Sequence, residues 1–103
     1  MKKLKLAEGF RFGTNGVKAI EVSSKKDIES GNVVYIEVKG EYDKTKTTLS
    51  DRFYFILEGK GEFISEDETI GVEKDDLIII PKNTIYFYRG EMKLILFNTP
   101  AFN

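Results

Sequence analysis

Lys46 and Thr48, Arg52 and Tyr54, and Tyr86 and Tyr88 alternate along the chain, so in extended backbone each pair presents both side chains to one face. They supply two cations, a small hydroxyl and three phenols. A guanidinium offers a rigid fork of donors matched to carboxylate or phosphate, and a lysine adds a point charge. Phenol rings give flat faces to sugars or apolar groups, and their hydroxyls orient a ligand. The chain has no histidine and no cysteine. Disulfides, thiolate catalysis and the commonest metal ligands are therefore excluded, and any proton transfer falls to Glu, Asp, Lys or Tyr.

Short strands must position these residues. Val33 to Val38, Phe53 to Leu57, Glu62 to Ser65, Leu77 to Ile80, Thr84 to Phe87 and Met92 to Phe97 are rich in β-branched, aromatic and aliphatic residues. Asn15-Gly16 suits a tight hairpin leading into Val17 to Val22, because both residues tolerate positive φ. Further turns are expected at Gly59-Lys60-Gly61, Glu66-Asp67-Glu68, Lys74-Asp75-Asp76 and Pro81-Lys82-Asn83. The acidic turns match no calcium loop and are read as solvated. Ser24 to Glu29 reads as one or two turns of helix, capped by Ser24 and ended by Gly31. Many short strands at regular spacing predict an all-β sandwich or barrel. The 103 residues, without linker or repeat, fit a single domain spanning 1–103.

Charge and hydropathy exclude whole classes of partner. The net charge is -1, with 16 basic and 17 acidic residues interspersed. Nucleic-acid binders carry a basic footprint, so no nucleic-acid partner is expected. Apolar runs such as Leu77-Ile78-Ile79-Ile80 are far too short to cross a bilayer, so no membrane partner is expected either. Met1-Lys2-Lys3-Leu4-Lys5 opens like a signal peptide, but no hydrophobic stretch follows it. A cytoplasmic location is the resulting expectation.

The spacing of residues 40 to 90 resembles the cupin family of jelly-roll, or double-stranded β-helix, barrels. The first cupin motif reads G-x5-H-x-H-x3-E-x6-G. Here Gly40 opens it, Lys46 and Thr48 stand at the two histidines, Arg52 stands at the glutamate, and Gly59 closes it. The second motif reads G-x5-P-x-G-x2-H-x3-N, and Asp75, Pro81, Asn83, Tyr86 and Gly90 stand at its named positions. The resemblance implies a cupin barrel in which these positions face the interior. In the family the four ligand positions hold a divalent metal. Lys46, Thr48, Arg52 and Tyr86 do not suit one, since two are cations and neutral hydroxyls bind metals weakly. No metal and no other cofactor is therefore expected, and metal-dependent family activities are not expected either.

The resemblance together with strand alternation predicts a pocket lined by Lys46, Thr48, Arg52, Tyr54, Tyr86 and Tyr88. Two cations close together in a partly buried site call for an anion. The leading expectation is a metal-free binding module for a small polar or anionic metabolite, such as a sugar, sugar phosphate or carboxylate. A second reading is a metal-independent isomerase, epimerase or lyase, with Tyr86 or Lys46 moving the proton after nearby cations lower its pKa. A third is a structural dimer with a filled barrel. There Arg52 pairs with Glu37 or Glu41, Lys46 extends to water, and the tyrosines are core aromatics. Phe53 to Leu57, Leu77 to Ile80 and Leu94 to Phe97 are apolar on both strand faces, which marks strands covered on both sides. A homodimer is expected to supply the second layer, the alternative being the chain's own N-terminal segment. Phe102 is expected to dock on the barrel.

Overall fold

The computed structural model describes residues 1–46 and 49–101, with the side chains of 43–46 outside the description. Thr48 and Phe102 therefore lie outside the described residues. After a short 3-10 turn at Leu6–Glu8, strands run as β1 (Phe10–Thr14), β2 (Val17–Glu21), β3 (Asn32–Lys46), β4 (Asp51–Ser65), β5 (Thr69–Glu73), β6 (Leu77–Ile80) and β7 (Ile85–Thr99). They form an all-β antiparallel array in the order β1-β2-β3-β7-β4-β5, with β6 paired to the first part of β4. The expected all-β jelly roll is the observed architecture.

Three strands are longer than the sequence suggests. Gly59-Lys60-Gly61 is not a turn: β4 runs through it, joining Phe53 to Leu57 with Glu62 to Ser65 by a bulge at Ile56/Glu58. Likewise β7 joins the two expected strands on either side of Gly90. A 15-residue strand drawn straight spans about 50 Å, yet the molecule's longest dimension is 39 Å. The long strands must therefore fold over. They do so where Gly40 pairs with Gly90 and Gly90 pairs with Gly61, a row of glycine across β3, β7 and β4. Gly40 and Gly90 have φ of +134° and +144°, open to glycine and strained for other residues. Without side chains in this row the sheet creases, and the two halves of each long strand face one another across a core.

The Ser24 to Glu29 helix is not formed. The Asp27 and Ile28 amides both return to the Ser24 carbonyl, and the Asp27 carboxylate accepts the Ser24 amide at 2.8 Å. The capping chemistry is present, but it closes one turn only. Asp75 and Asn83 take φ of +74° and +66°, so the two expected turns before and after β6 form.

The core is the inward face of this folded sheet: Val17, Ala19, Val34, Ile36, Val38, Tyr54, Ile56, Phe63, Tyr86, Tyr88, Met92, Leu94 and Leu96. Their alternates face outward. Ile20, Tyr35, Ile95, Phe55 and Leu77 lie in one register row across β2, β3, β7, β4 and β6, and Val33, Phe97, Phe53 and Ile79 in the next. Phe55, Leu77, Ile79 and Phe97 are exposed there. The N-terminal segment does not serve as their cover, since Leu4 and Leu6 are exposed and the strands' outer residues remain open. No helix among the described residues is long and apolar enough to cross a membrane.

Candidate functional site

Alternation along β4 turns Arg52, Tyr54 and Ile56 inward, at the end of the barrel away from the glycine crease. The opposite wall comes from the first half of β7, which turns Tyr86 and Tyr88 inward. The crease brings the two walls together. The Arg52 Nη1 donates to the Tyr86 hydroxyl at 2.7 Å, and the Tyr86 and Tyr54 hydroxyls meet at 2.5 Å. The guanidinium carbon stands 6.0 Å from the centre of the Tyr86 ring. Behind these groups Phe63 lies 5.0 Å from both Tyr54 and Tyr88, and Tyr42 stacks on Tyr88 at 4.8 Å. The rings fill the barrel between the crease and the polar end.

Burial decides the electrostatics. It pushes the Tyr54 and Tyr88 phenols well above their usual range, with neighbouring phenols adding to the shift and Arg52 only partly opposing it. Burial also raises the Tyr86 phenol, against the lowering effects of Arg52 and of the Tyr54 hydrogen bond. The expectation that nearby cations would lower a tyrosine pKa is therefore corrected: desolvation outweighs the single guanidinium. For Arg52 burial works against the charge, but the Tyr86 and Tyr54 hydroxyls outweigh it and hold the pKa above the ordinary arginine value.

A pH dependence follows. The folded-state phenol pKa values lie above the unfolded ones, so this contribution to stability is complete below about pH 10 and is lost as pH rises through the folded values. Tyr54, Tyr86 and Tyr88 should stay protonated in an ultraviolet tyrosinate titration until the protein unfolds in alkali. Ionisation of these residues before loss of the circular-dichroism signal would contradict the burial account.

The structure places the other expected residues as follows. Lys46 lies at the register position opposite the outward Ile85, while Thr45 stands opposite Tyr86, because β3 carries an irregularity between Tyr42 and Thr45. Thr48 lies outside the described residues. Glu37 does not pair with Arg52: it is on the outer face and accepts the Tyr35 hydroxyl at 3.0 Å. Glu41 is exposed as well. A divalent cation does not fit the two described ligand positions. A guanidinium has no lone pair to give, and the Tyr86 oxygen is already engaged by Arg52 and Tyr54. No group of three or more acidic residues that could hold a metal occurs among the described residues.

The polar end also holds residues that the motif comparison passes over. Arg52 pairs in register with Asn98 on β7, and Asn98 with Asn32 on β3. Both asparagines are fully buried. The Asn32 Nδ2 donates to the Glu21 carboxylate at 3.2 Å. Burial raises the Glu21 pKa, with Asp27 adding to the shift and the Asn32 bond opposing it. The signal for the asparagines lies in alternation: Asn98 continues the inward series Met92, Leu94, Leu96, and Asn32 precedes Val34, Ile36, Val38. A polar residue in phase with a buried apolar series marks a built polar site or a fault, and here two such residues are cross-strand partners.

A cavity of about 80 Å³ reaches Tyr86 at this end, between Phe63, Ser65, Ile80, Pro81 and Thr84. Two larger grooves, of about 750 and 610 Å³, border the crease, the second reaching the core residues Val17, Val38 and Met92. Their charges are mixed, and Arg89 in the first is held by Glu62 at 2.6 Å. The inward polar end is therefore the candidate site.

No family model and no curated protein sequence matches the chain. Solved structures do. One is Pac13, described as a nucleoside dehydratase, at 28% identity and a TM-score of 0.90, over 100% of this chain and 85% of that one. Streptomyces Pac13 variants with a tyrosine changed to phenylalanine were solved with uridine, at 27% identity, a TM-score of 0.90, and 100% and 84% coverage. KdgF from a Halomonas species matches at 14% identity and a TM-score of 0.83, over 100% of this chain and 96% of that one. A predicted oxalate decarboxylase from Thermotoga maritima matches at 13% and 0.79, over 97% and 100%. The last two bear on fold alone. With its creased seven-strand sheet, inward polar end and structural neighbours of this kind, the chain has the cupin fold and stands among the cupin-fold proteins.

Proposed function

We propose that the polar end of the barrel binds a pyrimidine nucleoside or a close relative, with no metal taking part. The observation that carries this reading is the set Arg52, Tyr86 and Tyr54, hydrogen bonded to one another beneath a rim of strand ends. Its support from outside the chain is the 27–28% identity, over the whole of this chain, to a protein solved with uridine. A cavity of about 80 Å³ takes the edge of a ring rather than a whole nucleoside. That cavity opens onto Tyr86 and onto neither Arg52 nor Tyr54, so in this reading side chains at the polar end part to admit the base while the sugar stays at the rim. A sugar phosphate or a carboxylate is the competing ligand, since the Arg52 fork suits either.

One observation favours chemistry as a second reading. Either hydroxyl of the Tyr54–Tyr86 pair can donate, and in this reading Tyr54 gives its proton to the Tyr86 oxygen. Tyr86 then accepts from both Arg52 and Tyr54, and its own proton is left for a ligand. It is a proton donor whose phenolate would be held by a guanidinium and a hydroxyl, which suits protonation of a leaving hydroxyl in a dehydration. One of the Pac13 structures with uridine has a histidine changed to glutamine. This chain has no histidine, so that side chain has no counterpart of the same type here. Ligand binding is accordingly the first reading and Tyr86-assisted elimination the second.

The test is a thermal-shift and calorimetric screen of uridine, cytidine, adenosine, sugar phosphates and small carboxylates. A ligand at a hundred times its dissociation constant adds about 2.7 kcal/mol, or on the order of 10 °C for a domain of this size. A shift selective for pyrimidine nucleosides supports the reading. No shift with any compound would leave the filled barrel as the better account.

The assembly we propose is a twofold dimer through the apolar outer face. The bordering row carries Lys18, Glu37, Lys93 and Glu58 on β2, β3, β7 and β4, alternating in sign. A twofold axis along the strands between β3 and β7 sets Lys18 against the partner's Glu58 and Glu37 against the partner's Lys93, while the apolar rows close on themselves. Ile79→Lys, which places a charge at an exposed position of that face, should convert a dimer to a monomer in sedimentation equilibrium. A wild-type monomer at micromolar concentration would refute the assembly.

A further inference from the structure

Among the described residues, three buried polar atoms at the polar end have no hydrogen-bond partner: the Arg52 Nε and both side-chain atoms of Asn98, Nδ2 and Oδ1. Arg52 and Asn98 are direct register partners on β4 and β7 and face the same interior. Buried polar groups are almost always satisfied in native proteins, and each exception calls for a partner. These exceptions sit together. Asn98 is fully buried, between Arg52 on one strand and Asn32 on the other. Asn32 is bonded to Glu21, so the row is polar across three strands but incompletely paired at Asn98 and Arg52.

The unpaired atoms have a definite pattern. The Arg52 Nε and Asn98 Nδ2 are donors, and the Asn98 Oδ1 is an acceptor. Two donors and an acceptor complement an imide edge, which carries two carbonyl acceptors either side of one N–H. Among the common bases only uracil and thymine present that edge. Cytosine replaces one carbonyl by an amino donor and the N–H by an acceptor. The three atoms are shielded from solvent, so their desolvation is already incurred on folding, and a ligand that pairs them recovers hydrogen bonds otherwise missing.

We infer that Asn98 and the Arg52 Nε form a base-edge subsite that selects a uracil-type imide over cytosine. The inference rests on the nucleoside reading of this same end of the barrel, and it makes Asn98 the specificity-determining residue. The Asn98 amide takes the imide N–H on Oδ1 and gives Nδ2 to one carbonyl, while the Arg52 Nε gives its N–H to the other. Arg52 keeps its Nη1 on Tyr86, so the base edge and the proton donor are held by one guanidinium.

The experiment is calorimetric titration of the full chain with uridine, 3-methyluridine and cytidine, using wild type and Asn98→Leu. Uridine should bind wild type on the order of 10- to 100-fold tighter than either analogue, the discrimination expected of a good bidentate base contact. Asn98→Leu should lose that discrimination, binding all three alike and weakly. It should also melt at or above the wild-type temperature, because it removes a buried group that has no partner. A merely structural Asn98 would move the melting temperature downward and leave the ratio of affinities alone. Equal wild-type binding of uridine and 3-methyluridine overturns the subsite while the nucleoside reading stands, and leaves an internal water as the partner of these atoms. If no nucleoside binds while another compound does, the nucleoside reading fails and the subsite with it. The analogue series on wild type decides the matter even if the Asn98 variant does not fold.

Discussion

Gly90→Ala is expected to destabilise the protein by roughly 3 kcal/mol or more, a large share of the 5–15 kcal/mol typical of a domain. Two causes add. The φ of +144° is one that an L side chain rarely adopts. A Cβ there would also stand 2.5 Å from the Gly61 Cα and 2.6 Å from the Lys60 carbonyl oxygen. Both obstacles are backbone of the neighbouring strand, which cannot rotate away as a side chain would. The substitution therefore opposes the crease that sets Tyr86 and Tyr88 against Arg52 and Tyr54. Gly71→Ala is the control: a Cβ there meets nothing within 4 Å. It should change stability by about 0.5 kcal/mol or less. Urea denaturation of the two variants measures both, and equal effects would show that the glycine row does not govern the fold-over.

Removing the Arg52 fork is expected to weaken nucleoside binding by at least a hundredfold, about 3 kcal/mol, with little loss of stability. Arg52→Met keeps the apolar stem and removes every donor. The wild-type charge is opposed by burial and is offset by neutral hydroxyls rather than by a carboxylate. A methionine of similar length should then be tolerated to within about 1 kcal/mol. Arg52→Lys separates charge from geometry, because an ammonium keeps the charge and loses the fork. If the fork does the recognition, Lys should bind nearly as poorly as Met. Titration calorimetry beside thermal melts reads both quantities. Wild-type affinity in Arg52→Met would sink the proposed site, and affinity retained by Lys alone would point to an anion held by charge.

Much of the frame was legible in the chain. Alternation along 52–56 and 86–88 is local geometry: it put Arg52 with Tyr54 and Tyr86 with Tyr88 on common faces, and the cupin resemblance turned those faces inward. The spacing from Gly40 to Gly90 carried the cupin resemblance. What misled was also local. Gly59-Lys60-Gly61 has the composition of a turn, and only its pairing with Gly90 and Met92 makes it a strand passing through a crease. The register of β3 against β7 also shifts between Tyr42 and Thr45, which sets the Lys46 backbone opposite Ile85. A bulge changes the phase of every residue beyond it, and composition does not announce where it falls.

The polar end shows the same division more sharply. Asn98 and Asn32 can be seen as polar interruptions of buried series, but that they adjoin each other and Arg52 depends on strands β3, β7 and β4 lying side by side. These residues stand 66 and 46 positions apart in the chain, between Asn32 and Asn98 and between Arg52 and Asn98. The direction of the tyrosine pKa shifts was likewise a tertiary matter. Sequence places a cation near the phenols and so suggests a lowering, whereas enclosure by the folded sheet removes the water that would solvate phenolate and raises them. The sequence by itself determined which residues share a strand face and the absence of imidazole and thiolate, because these are properties of residue type and a two-residue period, while the positions that depart from a metal site came from the cupin resemblance. Only the tertiary structure decided where strands continue, which polar groups meet and which way burial shifts them, because pairing register and desolvation arise from contacts between segments far apart in the chain.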